Sequence, residues 1–207
     1  MSGNLDQLFL EKLLFHTRWV KTLAKEGQQM QVEDINLSNH DFSGINLSQA
    51  IMPGVIFDNC NLEDADLYAT NLASASFHHA KINRATISKA NLDYSILDNA
   101  DLVQANLMRT TFFEASLVNA NVSQANLKKA LFIEANLEGT IFVECDLEMA
   151  DFNKSILKDT DFSGANLIHA DFSETVLSNC KFTKAKYNEN TKWPDNFEPS
   201  AHGLIKV

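Results

Sequence analysis

The chain has 207 residues, a net charge of −10 and 45% hydrophobic residues, enough for one domain with a sizeable core. The acidic balance argues against direct nucleic-acid binding and against anionic membrane surfaces, because both need clustered Lys and Arg. Seven glycines and three prolines disfavour disorder and long loops, and no stretch approaches the ~18 apolar residues that span a bilayer.

The N-terminus, MSGNLDQLFLEKL, is acidic ahead of its apolar run, unlike a signal peptide, so a cytoplasmic protein is expected. Residues 5–26 predict an amphipathic helix. Leu5, Leu8, Phe9, Leu13, Val20 and Leu23 recur at three- and four-residue steps, the period of one buried helix face. Asn4 is placed to cap it with Gln7 in the return position, and Gly27 is placed to stop it. Residues 1–30 are therefore expected to form an N-terminal cap.

A different period then takes over. From Leu37 to Tyr187 every fifth residue is large and apolar, for 31 pentads without an insertion; sixteen of these centres are Leu and ten are Phe. A helix repeats near 3.6 and a half-buried strand at 2.0, so neither accounts for it. The residue two before each centre is small, with 17 Ala, 5 Thr, 3 Cys and 2 Ser. The exceptions, Ile35, His40, Ile45 and Val55, all fall at the start, which predicts a widened first coil under the helix. Asp or Asn precedes the centre in 17 pentads. One large and one small inward residue per five suit a coil whose sides are short strands joined by corners. Such a unit buries nothing alone, and stacking coils builds the core and pairs the backbone. Coils stack ~4.8 Å apart, so residues 31–189 would form a rod.

The motif, as in Ala125–Asn126–Leu127–Lys128–Lys129, resembles the pentapeptide-repeat family over about three quarters of the chain. The resemblance implies an all-β solenoid, a right-handed quadrilateral β-helix with four sides per coil; at four pentads per turn and ~4.8 Å per coil the 31 pentads would make a rod roughly 37 Å long. The stretch His16–Thr17–Arg18–Trp19 looks like the leader of some bacterial members. After residue 189 the sequence departs from the repeat, and residues 190–207 are expected to form a C-terminal cap with Trp193 and Phe197 as a lid, since an open stack exposes its core and its strand edges.

Candidate chemistry is sparse. Cys60, Cys145 and Cys180 all occupy the small inward column and are too far apart for a disulfide; they read as small buried hydrophobes. Of six histidines only His78 and His79 are neighbours. No His/Asp/Glu set has metal-ligand spacing, and no nucleophile elbow, phosphate loop or HExxH is present. A non-catalytic protein without metal or cofactor is expected.

Folding the sequence by 20 sorts charge onto sides. The side centred on 52, 72 and so on to 172 carries Asp93, Glu114, Glu134, Asp151, Asp171 and Glu174 against Lys154. Its neighbour, centred on 37 to 177, carries Asp58, Asp98, Glu138 and Asp159 against Lys158. The other two sides are balanced. On the more acidic side Phe113 and Ile133 recur at one outward position in adjacent coils, with Leu131 beside Ile133 and Glu114 and Glu134 flanking. An exposed apolar cluster rimmed by carboxylates suits a protein contact; a solvated ladder of outward residues and a homodimer through the patch are the other readings. The resemblance implies a further reading, since some members imitate duplex DNA in size and charge and bind type II topoisomerases, DNA gyrase or topoisomerase IV, giving quinolone tolerance. The rival is a scaffold or structural rod with an unrelated partner, whose apolar binding would tolerate salt where an electrostatic mimic's would not.

Overall fold

The computed structural model describes residues 7–207. The predicted cap Asn4 and the stripe residue Leu5 lie outside the described residues. Each outward residue before a centre pairs in parallel with the residue 20 positions on, from Gln31↔Ile51 to Asn166↔Lys186. Twenty residues per coil and five per side give four sides, named here by their centres: A (37 to 177), B (42 to 182), C (47 to 187) and D (52 to 172). One further pentad precedes the predicted start, with Met30 buried at the inner position and Val32 packed against the core.

Local chemistry explains the pentad. The Asp or Asn before a centre accepts, through its side-chain Oδ1, the backbone N–H two residues on, as in Asn121 to Ser123 (3.2 Å), Asp161 to Ser163 (2.9 Å) and Asn91 to Asp93 (2.8 Å). This local bond sets up the corner in the pentads that carry Asp or Asn there. The chain then turns through a left-handed residue two after the centre. That residue has positive φ from Asp34 to Lys184, with Glu174 the exception. Left-handed φ costs an ordinary residue roughly 1–2 kcal/mol and suits β-branched side chains least, and Val, Ile and Thr never occur at this position. Thr and Cys in the small column do more than fill space. Thr70, Thr110, Thr140 and Thr160 donate to the centre carbonyl one coil below at 2.8–3.0 Å, and Cys60 and Cys145 do the same at 2.9 Å.

The core becomes aromatic toward the C-terminus. Phe112, Phe132, Phe152 and Phe172 stack along side D at 4.7–5.1 Å. Phe142, Phe162 and Phe182 stack along side B at 5.3 Å, and the two columns meet edge to face, as Phe132 and Phe142 do at 5.6 Å. Both stacked and perpendicular contacts suit the ring quadrupole.

At the N-terminal end α1 (Gln7–Lys21) lies on the first coil, with the Phe9 ring edge-on to Phe42 at 6.0 Å. It ends sooner than the sequence predicts, and its buried stripe is narrower. Phe9 and His16 are buried and Leu13 is partly so, whereas Leu8 is 56% and Leu23 85% exposed. The rod end offers only a narrow apolar patch, and Leu23 lies past the helix, where it and Ala24 take positive φ and Ala24 N–H bonds Trp19 O. The stop therefore precedes Gly27. That glycine instead lets the returning loop touch the helix, since a Cβ there would lie 2.3 Å from the Phe15 carbonyl. Ile35, His40 and Ile45 stay partly exposed at this end, while Val55 is buried.

At the other end the repeat resumes after one extra residue. Asp171 pairs with Lys192, 21 positions on, and Trp193 stacks on Phe172 at 5.0 Å. Trp193 thus continues the core column rather than only covering it, and Phe197 closes over it at 4.9 Å. A 3-10 helix at Pro199–His202 leads into β2 (Ile205–Lys206), which pairs in parallel with β1 (Lys186–Tyr187). Among the described residues no helix is long and apolar enough to cross a membrane.

Candidate protein-contact face

Side D brings the sequence-selected residues onto one surface, though not all are free. Phe113 and Ile133 lie half-buried one coil apart, and Leu131 is 38% exposed in the ladder position beside Ile133. The 20-residue frame does not single out Tyr94. It is 52% exposed and meets Phe113 edge-on at 5.5 Å. Its corner position, 19 residues before Phe113, places it against the next coil, and that offset was the available signal. Tyr94, Phe113, Leu131 and Ile133 make the apolar part of the face.

The carboxylates divide into two kinds. Asp151 closes its own corner by accepting Asn153 N–H at 3.0 Å, and Asp93 accepts Phe113 N–H at 2.9 Å. Asp171 accepts Ser173 N–H at 3.0 Å and pairs with Lys192 at 2.6 Å. Partial burial works against the Asp171 charge, but Lys192 and Ser173 prevail and hold its pKa below the usual carboxylate range. Lys192 is a base that the 20-residue frame assigns to no side; the extra residue in the tail brings it to side D. Glu134 pairs with Lys154 at 3.5 Å, and on side A Glu138 pairs with Lys158 at 2.6 Å. Glu114 and Glu174 are exposed and, among the described residues, in no ion pair.

The opposite edge of side D, at the corner with side C, carries Lys89, Arg109 and Lys129 in three successive coils, all exposed. Lys89 donates to the Tyr68 hydroxyl at 2.8 Å. Arg84 and Lys128, on sides B and C, are tied up locally. Arg84 grips Asp64 through two bonds of 2.9 and 2.8 Å, and Lys128 bridges Asp146 and Glu148 at 3.3 and 2.9 Å.

A cleft of about 720 Å³ lies beneath α1, between Phe9, Lys12, Ile35 and His40. Two of its polar groups face backbone, with Lys12 donating to the Gln31 carbonyl at 2.8 Å and His40 Nδ1 against the Ser38 carbonyl at 2.9 Å. Burial pushes the Cys145 and Cys180 thiols up to about 12, the inert end of thiol chemistry. Among the described residues no three His, Cys, Asp or Glu side chains gather to hold a metal ion.

The Pentapeptide repeats family matches residues 33–67, 60–97, 95–128, 123–159 and 155–186 in eight copies. The chain belongs to the pentapeptide-repeat family, whose members fold as right-handed quadrilateral β-helices and are generally non-catalytic structural or interaction modules. No curated protein matches it. Among solved structures it is similar to a trypsin-treated form of QnrB1, a plasmid-mediated fluoroquinolone resistance protein, with TM-score 0.66 and 20% identity over 86% of this chain and 82% of that one. It is also similar to alr5209, a pentapeptide repeat protein from Nostoc Pcc 7120, with TM-score 0.48 and 31% identity over 49% of this chain and 84% of that one.

Proposed function

We propose that this protein is a non-catalytic interaction rod that presents side D to a protein partner. The carrying observation is the Tyr94–Phe113 contact beside Leu131 and Ile133, which sets two surface aromatic rings among aliphatic side chains, whereas the exposed Ile96, Ile156 and Val176 of side A are aliphatic alone. Aromatic groups in a rim of carboxylates are the composition of a protein interface rather than of a plain solvated strand. The role is placed in the cytoplasm, where three free cysteines fit a reducing compartment. A photo-crosslinking residue in place of Tyr94 is expected to capture a protein that the same residue in place of Gln104, on side B, does not. Equal capture at both positions would remove side D from the proposal.

The carboxylates on sides D and A support a second reading, in which the rod imitates DNA and binds DNA gyrase or topoisomerase IV, as its likeness in fold to a fluoroquinolone resistance protein suggests. Magnitudes make it the weaker one. Duplex DNA carries one charge per ~1.7 Å, so a length of roughly 37 Å holds about 20 phosphates, about twice the carboxylates on these two sides. Lys154, Lys158 and Lys192 offset three of those. Supercoiling by gyrase, with and without a fluoroquinolone and at two salt concentrations, decides it. Salt-sensitive inhibition or drug protection supports mimicry, and no effect with the protein well above the enzyme retires it.

A further inference from the structure

We propose that the partner seated on side D is a second copy of this chain, in a parallel, face-to-face homodimer. This rests on the reading of side D as a protein-contact surface and names its occupant. Side D has two unlike edges. The edge shared with side C carries Lys89, Arg109 and Lys129, and the edge shared with side A carries Tyr94, Glu114 and Glu134 in the same coils. Arg109, Lys129 and Glu114 have no ion pair among the described residues, so both edges present charge that the monomer leaves unanswered.

Symmetry then chooses the arrangement. A two-fold axis parallel to the rods exchanges left and right edges while keeping each coil level with its copy. Arg109 then faces the second copy's Glu114, Lys129 faces its Glu134, and each pair occurs twice. In the next coil Met149 faces the second copy's Lys154, and two coils beyond Lys129 His169 faces its Glu174. An axis across the rods would keep the edges and set Arg109 against Arg109, which like-charge repulsion disfavours. Across the middle of the face the same operation lays Leu131 on the second copy's Ile133 and Thr111 on its Phe113. The two acids of the ladder column, Asp151 and Asp171, meet the uncharged Asn153 and Ser173. From Gln49 to Glu174 no like charges meet along the side. Side C put through the same operation would set Arg84 against Lys89 and Asp146 against Glu148, so the complementarity is not a general property of the repeat.

Sedimentation equilibrium of the full chain and of two charge variants tests this. The wild type is expected to dimerise below about 100 μM. Arg109→Glu alone and Glu114→Arg alone each bring like charges together twice and are expected to weaken the dimer roughly tenfold or more. Mixing the two variants restores both attractive pairs, so the mixture is expected to dimerise where neither variant does. Circular dichroism of each variant shows that it is folded, since both substitutions are at exposed corners. A monomeric wild type, or variants that dimerise as tightly as it does, or a mixture that stays monomeric would overturn the homodimer. If a monomeric wild type still gives Tyr94-specific crosslinks to another protein, the contact-face reading survives and only the second copy is lost. A dimer indifferent to both substitutions and to Phe113→Ser, with no such crosslink, overturns both.

Discussion

Truncating Phe132 tests the core most directly. Its ring is fully buried, stacked on Phe112 at 4.7 Å and Phe152 at 5.1 Å and edge-on to Phe142 at 5.6 Å. Phe132→Ala removes the ring from a column fixed on both sides by backbone ladders, so little collapse can fill the space. The expected cost is about 3–5 kcal/mol. Phe132→Leu keeps an apolar side chain that already serves as the commonest centre in this sequence, and it forfeits mainly the ring contacts. It should cost about 1–2 kcal/mol. Glu134→Ala, two residues on and at an exposed corner, should change stability by no more than about 0.5 kcal/mol. Urea unfolding followed by circular dichroism measures all three. Hydrogen exchange of the flanking coils shows whether the loss is global or spreads from the damaged coil, as nearest-neighbour coupling in a solenoid allows. Equal costs for Phe132→Ala and Glu134→Ala would refute the inward and outward assignment on which every face described here depends.

Three further outcomes follow from local geometry. His16 is fully buried, and burial pushes its pKa below 6.5. The unfolded chain therefore takes up a proton on acidification before the folded one does. Stability contributed by the docked helix is intact above pH 6.5 and declines as pH falls from there to the folded-state pKa; fluorescence of Trp19, stacked on His16 at 5.8 Å, reports it, and His16→Gln should flatten the profile. Asn121→Ala removes the acceptor for Ser123 N–H and for its hydroxyl and should cost about 1 kcal/mol by urea midpoint, whereas Asn121→Asp should be near neutral. Asn99 has φ 58°; Asn99→Val should destabilise by about 1–2 kcal/mol in thermal unfolding while Asn99→Gly stays within about 0.5 kcal/mol.

The sequence by itself determined the unit. Two inward residues per five, one large and one small, appear as buried columns from Leu47 to Phe172, because burial demands that pattern wherever coils stack. The Asp or Asn before 17 of the centres was equally visible, and its reason is local: one side-chain oxygen reaches a backbone N–H two residues away. The apolar cluster of Phe113, Leu131 and Ile133 was legible for the same cause, once residues 20 apart were set side by side.

Only the tertiary structure decided how the units close and end. A five-residue period fixes which residues face inward but not how many pentads complete a turn; that depends on the corner dihedrals and appears as bridges between residues 20 apart. The extra residue before Lys192 breaks the period in sequence while leaving the stack intact in space, so Trp193 joins the Phe column and Lys192 joins the acidic side. Tyr94 reaches Phe113 across a coil boundary, and His16 is buried by a loop that returns to donate Met30 N–H to its ring. The His16 contact joins residues whose separation follows no period, and the Tyr94 contact needs the 19-residue offset that only the closed coil defines; both form because chain ends and corners must satisfy buried polar groups and apolar surface with whatever the neighbouring coil presents.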